Sequence, residues 1–458
     1  MTTLIKNGTI ITATDTYRAD ILVKNGRVCE IGGEISKIAN EIIDATGKWV
    51  LPGAVDAHTH LDVECDGMTT VDDFESATAA GAAGGTTTVI DYAEQVPGGT
   101  LAGALETWKE KAAGRSVVDY AFHIALSEVT PGILEEIPAM VAAGVTSFHA
   151  RLDGWGERYI HDGRLLELLE CARGAGAIVC LHAENGEIIR TYLGRLASEG
   201  KTSARYLPEA RPPEVEAQAT ARAISIAEMA RAPIYLSGIS SAHAIEKVKA
   251  ARDRGQVVYA ETSPHFLVLA SDRYEEPDGV KYTCIPPLRP SWHADVLWKA
   301  ISSGDIHSVG SDHRAFHYAG QKDLGREDFT RAPRGFAGIQ ERVSLLHSAG
   351  VAAGRISPNR LVDLVSTSPA KIFGLFPRKG TLAVGSDADM ILFDPAAEVT
   401  LSKATSLSRS DYTPYEGMNL RGTPWMVLQR GKVIARENKV HGRAGQGEFL
   451  PAARFKVP

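Results

Sequence analysis

Two histidines separated by a single residue, His58 and His60, are the side chains whose spacing most directly predicts chemistry. They end a short apolar segment that begins at Ala54, just after the Pro52-Gly53 pair that interrupts the preceding apolar run. In a β-strand, residues i and i+2 point to the same side, so both imidazoles would project together from the end of this strand. Such a pair can bind one metal ion. The alternative interpretation is a coincidental pair in a surface loop.

Further polar residues follow other apolar segments in the same way, and these include His182 and Asp312. Zinc and similar ions take imidazole and carboxylate ligands, and catalytic sites keep one position open for water. The sequence therefore predicts a metal site with the ligands His58, His60, His182 and Asp312. Asp312 is the candidate catalytic residue, because its carboxylate could take a proton from a metal-activated water and return it to a leaving nitrogen.

The elements that must position these residues alternate between apolar strands and amphipathic helices from about residue 53 to 375. Eight strands are predicted, at residues 54–60, 86–93, 118–126, 145–152, 177–182, 233–239, 257–262 and 306–312. This repetition predicts an α/β fold, a (β/α)8 TIM barrel, whose active site lies at the carboxyl ends of the strands. An open, doubly wound sheet is the alternative, but its G-x-G-x-x-G fingerprint does not follow the early strands.

The two ends of the chain are rich in predicted strands and turns. Residues 1–52 and 376–458 each contain too few strands to close a core alone. We therefore expect one small β-sandwich domain built from both termini. Residues 1–52 form its first part, residues 53–375 the barrel, and residues 376–458 its second part with a C-terminal tail.

Composition narrows the class of protein. The 458 residues carry a net charge of -7, with 44% hydrophobic and 23% charged residues. These values are typical of a soluble globular protein, and they argue against a nucleic-acid or acidic-membrane partner. The expected partner is a small-molecule substrate. The five cysteines show no metal-site spacing, which favours free thiols in the cytoplasm. We expect neither a signal peptide nor a membrane helix, because the necessary apolar runs are missing.

Several motifs together resemble one family over nearly the whole chain. They are the segments at residues 52–62, 73–75, 84–88, 182–186, 211–216, 261–267, 286–289, 310–313, 385–389 and 411–418. The sequence resembles the amidohydrolase superfamily, in particular its hydantoinase/dihydropyrimidinase branch, with allantoinase and dihydroorotase as relatives. The resemblance implies a TIM barrel with a β-sandwich, hydrolysis of cyclic amides, usually two metal ions, and a homotetramer or homodimer.

Two departures from this branch concern the metals. The branch has a carbamylated, metal-bridging lysine on strand four, where this chain has His149, and a histidine on strand six, where it has Gly238. Two ligands of a second metal are thus missing. We expect one divalent ion, zinc in the first instance, with Mn, Co or Fe as alternatives. His149 either adds a ligand or hydrogen-bonds the water.

Other departures concern the substrate. The tyrosine of the branch aligns near Gly154, and its neighbour Trp155 cannot supply the same hydroxyl donor. An asparagine is replaced by Arg334 and a serine by Ile285. Arg334 and Arg151 could bind a substrate carboxylate, with ordinary loop or surface salt bridges as the alternative. Cys65, in the loop after strand one, either faces the pocket or packs as a plain thiol.

The function expected from these observations is metal-dependent hydrolysis of an amide C–N bond, with ring opening of a cyclic amide, imide or ureide. Three alternatives stay open. The first is a catalytically silent homologue that binds a partner through the same scaffold. The second is a hydrolase of a non-cyclic amide or a carbamate. The third is a deaminase, because the ligand set permits one.

Overall fold

A barrel of eight parallel strands forms the centre of the molecule, seen in a computed structural model that describes residues 2–65, 67–154 and 160–456. The strands are β1 (Ala54–Thr59), β2 (Thr86–Glu94), β3 (Asp119–Ala125), β4 (Ser147–Arg151), β5 (Ile178–His182), β6 (Ile234–Leu236), β7 (Val258–Thr262) and β8 (Ser308–Val309). Each pairs with the next in chain order. Every strand overlaps its predicted segment.

The barrel closes where the residues after β8 meet β1. A parallel bridge joins Thr59 to His313, and the His60 amide donates to the His313 carbonyl at 2.9 Å. The Ser311 hydroxyl donates to the His58 carbonyl at 3.2 Å. These contacts exclude an open sheet and confirm the predicted barrel.

Helices cover the outside of the barrel between the strands. The longer ones span Phe74–Ala83, Leu101–Ala112, Pro131–Ala142, Asp162–Ala175, Gly186–Ser198, Pro213–Met229, Ala242–Asp253 and Trp292–Ser303. Shorter ones span Leu207–Ala210, Pro264–Val268, Arg342–Leu346, Pro358–Val362 and Ser368–Ile372. Side-chain caps fix several starts, as where the Asp73 carboxylate accepts from the Ser76 amide. None of the helices in the described residues is both long enough and apolar enough to cross a membrane.

Strands from both termini build a second layered unit. One sheet contains Thr2–Lys6, Asp20–Lys24, Arg27–Gly32 and Glu41–Asp44. The other contains Thr9–Ile11, Thr16–Arg18, Trp49–Pro52, Met390–Thr400, Asn419–Gln429, Lys432–Arg436 and Lys439–Val440. Trp49–Pro52 pairs antiparallel with Met390–Thr400, which joins the two ends of the chain. Both sheets share one buried core, so the predicted β-sandwich from both termini is confirmed.

The C-terminal tail closes the amino-terminal end of the barrel. The Leu450 amide donates to the Tyr120 carbonyl at 2.7 Å, and the Ala452 amide donates to the Gly144 carbonyl at 2.9 Å. The Leu450 side chain is buried among residues that fill the barrel interior, including Val55 and Tyr235. The carboxyl ends of the strands are therefore the end at which a pocket can form.

Candidate active site

A pocket at the carboxyl ends of the strands gathers most of the predicted site residues. Its lining comprises His58, His60, His149, Arg151, His182, Ser237, Gly238, Ile285, Asp312, Arg314, Arg334 and Gly335. These residues come from β1, β4 and β5 and from the segments after β1, β6, β7 and β8. The sequence predicted this end of the barrel for His58, His60, His182 and Asp312, because parallel strands bring their carboxyl ends to one face.

Three of the four predicted metal ligands form a compact cluster. Asp312 Oδ1 lies 3.3 Å from His58 Nε2 and 3.6 Å from His60 Nε2. One ligand atom from each residue lies within 4.8 Å of the other two. Two imidazoles and a carboxylate are donors that a divalent zinc-like ion prefers, and three protein ligands leave a coordination position open. The cluster therefore fits a catalytic metal.

The backbone conformation of the segment after β8 lets Asp312 come close to the two histidines. Asp312 adopts a left-handed conformation with φ of 50°, which is uncommon for a residue with a side chain. Two residues earlier, a Cβ atom on Gly310 would lie 2.6 Å from the His58 Cβ. Glycine at this position therefore lets the segment after β8 come close to His58.

Glu261, at the carboxyl end of β7, fixes the orientation of His58. Its Oε1 lies 2.5 Å from His58 Nδ1, while its Oε2 accepts from the Tyr235 hydroxyl at 2.6 Å. Burial lowers the pKa of His58, but the charges of Glu261 and Asp312 outweigh it and raise the pKa to about 9. With Nδ1 held by the carboxylate, Nε2 faces Asp312 and the candidate metal position. Sequence analysis did not predict that Glu261 orients His58, although its position at the end of a predicted strand indicated that it lies near the site.

His60 is held by two residues that sequence analysis missed. Arg314 Nη2 lies 3.0 Å from His60 Nδ1, and the Tyr92 ring stacks on the imidazole at 4.8 Å. Burial and the charge of Arg314 hold the pKa of His60 well below its ordinary value. The low pKa favours the neutral form of the His60 imidazole. The sequence offered one indication that Arg314 belongs to the site, namely its position two residues after Asp312.

His182 reaches the same pocket but belongs to a second cluster, with Asp153 and Glu184. Its Nε2 lies 2.9 Å from Glu184 Oε2 and 3.7 Å from Asp153 Oδ2. Arg211 bonds to both carboxylates, and Arg151 bonds to Asp153 through two nitrogens, at 3.0 and 2.9 Å. A cation here would have to displace two guanidinium groups. The second cluster therefore fits a metal ion poorly.

His149 and Gly238 stand where the resemblance places two further metal ligands. The His149 ring lies on β4, 4.7 Å from the Tyr92 ring, and has no hydrogen-bond partner among the described residues. Burial and the charge of Arg151 hold its pKa well below the ordinary value, so it is neutral. It could accept from a water or bind a metal. Gly238 lines the pocket in a left-handed conformation, with φ of 68°.

The structure places some, but not all, of the predicted substrate-binding residues in the pocket lining. Arg334 and Ile285 line the pocket, as does Arg151, whose guanidinium is paired with Asp153. Cys65 is not part of the lining, although its sulfur lies 3.9 Å from Arg314 Nη1. Trp155 lies outside the described residues.

The chain matches a known family over most of its length. The Amidohydrolase family model matches residues 49–434. This chain belongs to the amidohydrolase family. The amidohydrolase is 45% identical to a D-hydantoinase of Geobacillus stearothermophilus, over 99% of this chain and 97% of the relative. It is 38% identical to a D-phenylhydantoinase of Escherichia coli O7:K1, over the full length of both chains.

Solved structures agree with the sequence comparison. The crystal structure of dihydropyrimidinase from Brevibacillus agri NCHU1002 superimposes on the amidohydrolase with a TM-score of 0.98, at 43% identity, over 100% of both chains. The structure of a D-hydantoinase gives the same TM-score at 44% identity. The predicted membership in the hydantoinase/dihydropyrimidinase branch is confirmed.

Proposed function

We propose that this amidohydrolase opens the ring of a cyclic amide, imide or ureide by hydrolysis of its C–N bond, at the cluster of His58, His60 and Asp312. The observation that carries this proposal is the convergence of three ligand atoms within 4.8 Å at the carboxyl ends of the barrel strands. Relatives named hydantoinases, 38 to 45% identical over the whole chain, support the cyclic substrate.

His58, His60 and Asp312 would hold a divalent ion, which when bound makes a water molecule more acidic and polarises the amide carbonyl. Asp312 has the position to move the proton. Its Oδ1 faces both histidines, and its Oδ2 lies 4.0 Å from His265 Nε2. In the proposed reaction this carboxylate accepts a proton from the attacking water and passes it to the leaving ring nitrogen.

His182 and His149 complete the proposed site from β5 and β4. Glu184 and Asp153 hold His182 at the edge of the pocket, so that its ring contributes either to the metal or to the substrate carbonyl. His149 faces the same space and takes one of the two roles considered for it, ligand or acceptor for the water. Both assignments are part of the proposal.

Three finer features also belong to the proposal. The ion is zinc, bound once per chain, because the second cluster is filled by Arg151 and Arg211. The chain assembles as a homodimer or homotetramer, as the family resemblance implies. The protein acts in the cytoplasm, as its free cysteines favour. Elemental analysis, light scattering and cell fractionation test these three features separately.

The principal test combines metal content with hydrolysis. Protein purified without chelator is analysed for metal and assayed on hydantoins, dihydropyrimidines, imides and lactams, alongside His58→Ala and the exposed-histidine control His441→Ala. We expect about one ion per chain and ring opening, with more than about a hundredfold loss of activity in His58→Ala. The control should keep both properties.

Two results would contradict the proposal. Metal-loaded protein that hydrolyses none of these rings would favour the silent homologue or a non-cyclic substrate. Full activity in His58→Ala would show that the chemistry occurs elsewhere.

A further inference from the structure

A connecting segment of the β-sandwich lies against the loop that carries Asp312. Residues 401–418 join two strands of the larger sheet, and they contain residues 411–418, one of the motifs that resemble the amidohydrolase superfamily. The described pocket lining includes none of them, so the proposed reaction gives this motif no role. The part that contacts the barrel spans residues 408–412 and is called here the 408–412 segment.

The 408–412 segment holds the loop after β8 at three points. The Ser410 hydroxyl donates to the Phe316 carbonyl at 2.7 Å. The Asp411 carboxylate accepts from two consecutive backbone amides further along the same loop, the second of them at 3.0 Å. Since all three bonds lie a few residues after Asp312, they restrict the movement of the chain on that side of it.

A buried carboxylate, Asp72, joins the same segment to the start of this loop. Its Oδ1 accepts from the Ser76 hydroxyl at 2.8 Å and from the Arg409 amide at 2.9 Å. Its Oδ2 accepts from the Ser408 hydroxyl and from His313 Nε2, the latter at 3.1 Å. Burial raises the pKa of Asp72, but the hydrogen bonds from His313, the Arg409 amide and Ser408 outweigh burial and hold the pKa well below its ordinary value. Asp72 is therefore an ionised acceptor for four donors.

The tautomer of His313 follows from its hydrogen-bond partners. Its Nδ1 accepts from the Gly338 and Ile339 amides, at 3.2 and 3.4 Å. The Nε2 hydrogen is therefore the one that points to Asp72. The side chain is 1% exposed and is bonded at both ring nitrogens, so it cannot turn without breaking these bonds.

The backbone of His313 determines where Asp312 lies. Its carbonyl accepts from the His60 amide at 2.9 Å, and its amide donates to the Ser311 hydroxyl at 3.1 Å. The second bond spans Asp312, whose φ of 50° is uncommon for a residue with a side chain. Such a conformation persists only where the surroundings hold it. The direction of the Asp312 carboxylate therefore depends on how His313 is held.

We propose that Asp72 and the 408–412 segment position Asp312 by holding His313 and the loop after β8. Asp72 is then a positioning residue, because it is not part of the described pocket lining and acts through His313. This inference rests on the proposed function, since Asp312 is the proposed proton carrier and metal ligand. A catalytic group displaced by about 1 Å can lose about a hundredfold in rate.

Asp72→Asn is the sharpest variant, because it changes the hydrogen bonding and keeps the size. Each oxygen of Asp72 accepts from one N–H group that cannot turn away, the Arg409 amide at Oδ1 and His313 Nε2 at Oδ2. Whichever way the new side-chain amide is oriented, its NH2 group faces one of these donors. Asp73→Asn is the matched control. Asp73 also binds Ser76 and Arg409, but within the described chain it has no hydrogen bond to His313.

The test measures kcat and KM at saturating metal for a ring that wild type opens, and metal affinity by competition with a chromophoric chelator. Asp72→Asn should lower kcat by about ten- to a hundredfold. KM should change by less than about threefold, because the described pocket lining loses no residue. Metal affinity should fall by about tenfold, since Asp312 is one of the three proposed ligands. Asp73→Asn should leave all three quantities unchanged.

A double-variant cycle tests the route through His313. His313→Ala should lower kcat at least as much as Asp72→Asn, and the double variant should be no slower than His313→Ala alone. Losses that multiply would show that the carboxylate does not act through this imidazole and would overturn the inference.

Ser410→Ala keeps the inference testable if Asp72→Asn does not fold. It leaves the buried pair of Asp72 and His313 intact and removes the bond to the Phe316 carbonyl. We expect kcat per folded molecule to fall by about threefold, the value of one hydrogen bond, with KM unchanged. Unchanged kcat in Ser410→Ala would contradict a positioning role for the 408–412 segment.

The metal measurement separates this inference from the proposed function. If metal-loaded wild type opens no ring, the proposed function fails, while weaker metal binding in Asp72→Asn but not in Asp73→Asn supports the inference. If wild type opens a ring and Asp72→Asn matches it in kcat and metal affinity, the proposed function stands and the inference is overturned. Equal losses in Asp73→Asn would show a general effect on this region and would also overturn it.

Discussion

Glu261 is the residue on which the orientation of His58 depends. A hydrogen-bonded chain runs from Ser308 through the Tyr235 hydroxyl to Glu261 and then to His58 Nδ1, with separations of 2.6, 2.6 and 2.5 Å. All four residues are buried. A carboxylate behind a metal-binding imidazole fixes its tautomer and increases its basicity as a ligand. The metal affinity of the proposed site should therefore depend partly on a residue that does not face the candidate metal position.

Replacing this carboxylate should weaken metal binding with little change in shape. We expect Glu261→Gln to lower the metal affinity by about ten- to a hundredfold, because the neutral amide stabilises the bound imidazole less. Competition with a chromophoric chelator measures this affinity directly. Tyr235→Phe removes one donor to Glu261 but keeps the carboxylate, so its effect should be smaller. Unchanged affinity in Glu261→Gln would show that the carboxylate has no influence on the ligand.

The sequence predicted the pocket residues better than their partners. His58, His60 and Asp312 were predictable because a local rule, polar residues at strand ends, places them on one face. The pairing of Glu261 with His58 joins residues 203 positions apart, and no local pattern specifies it. His182 obeys the same local rule, yet Asp153, Glu184 and Arg211 draw it into a different cluster. The position of a residue in its strand predicts the end of the barrel at which it lies. Its hydrogen-bond partner depends on loops, whose course the alternation of strands and helices does not predict.

At the scale of elements, a buried ion pair supports the seam between β1 and β8. Arg342 Nη1 donates to the carbonyls of Val55 in β1 and Val309 in β8, at 3.3 and 3.0 Å. Its Nε lies 3.5 Å from Asp56 Oδ2, and Asp56 Oδ1 accepts from the Ser311 amide at 3.0 Å. β8 has two residues, so the contact of the following segment with β1 relies on these side chains as much as on backbone hydrogen bonds. The alternation of strands predicted the barrel, but not this means of closing it.

The buried pair of Arg342 and Asp56 leads to a prediction about the stability of the protein. We expect Arg342→Met to destabilise the protein by about 3–5 kcal/mol, because it leaves the fully buried Asp56 without its positive partner. The double variant Asp56→Asn with Arg342→Met should recover part of this loss, since it removes the buried charge as well. Denaturant unfolding of the two single variants and the double variant measures the coupling. Strictly additive losses would show that the two side chains do not interact.

At the scale of the whole molecule, the pocket and the C-terminal tail lie at opposite ends of the barrel. The carboxyl ends hold the pocket, whereas the tail covers the other end through hydrogen bonds to the start of β3 and to residues just before β4 and β5. These bonds link Leu450 to Tyr120, Ala452 to Gly144 and Phe455 to Gly176. The sequence indicated that residues near the C-terminus belong to the β-sandwich and a tail. It carried no signal for where the tail lies, because short extended segments have little periodicity.

This separation predicts that damage to the tail lowers stability and spares the chemistry. Leu450 is 1% exposed and packs into the barrel interior, so Leu450→Ala should cost about 2–5 kcal/mol of unfolding free energy. Its kcat per folded molecule, measured well below the unfolding temperature, should match wild type, because the pocket lies at the opposite end. Lys456→Ala, at an exposed tail position, is the control and should change neither quantity. A large fall in kcat at full folding would show that the tail communicates with the pocket through the barrel interior, and the division of tasks between the two ends would then be wrong.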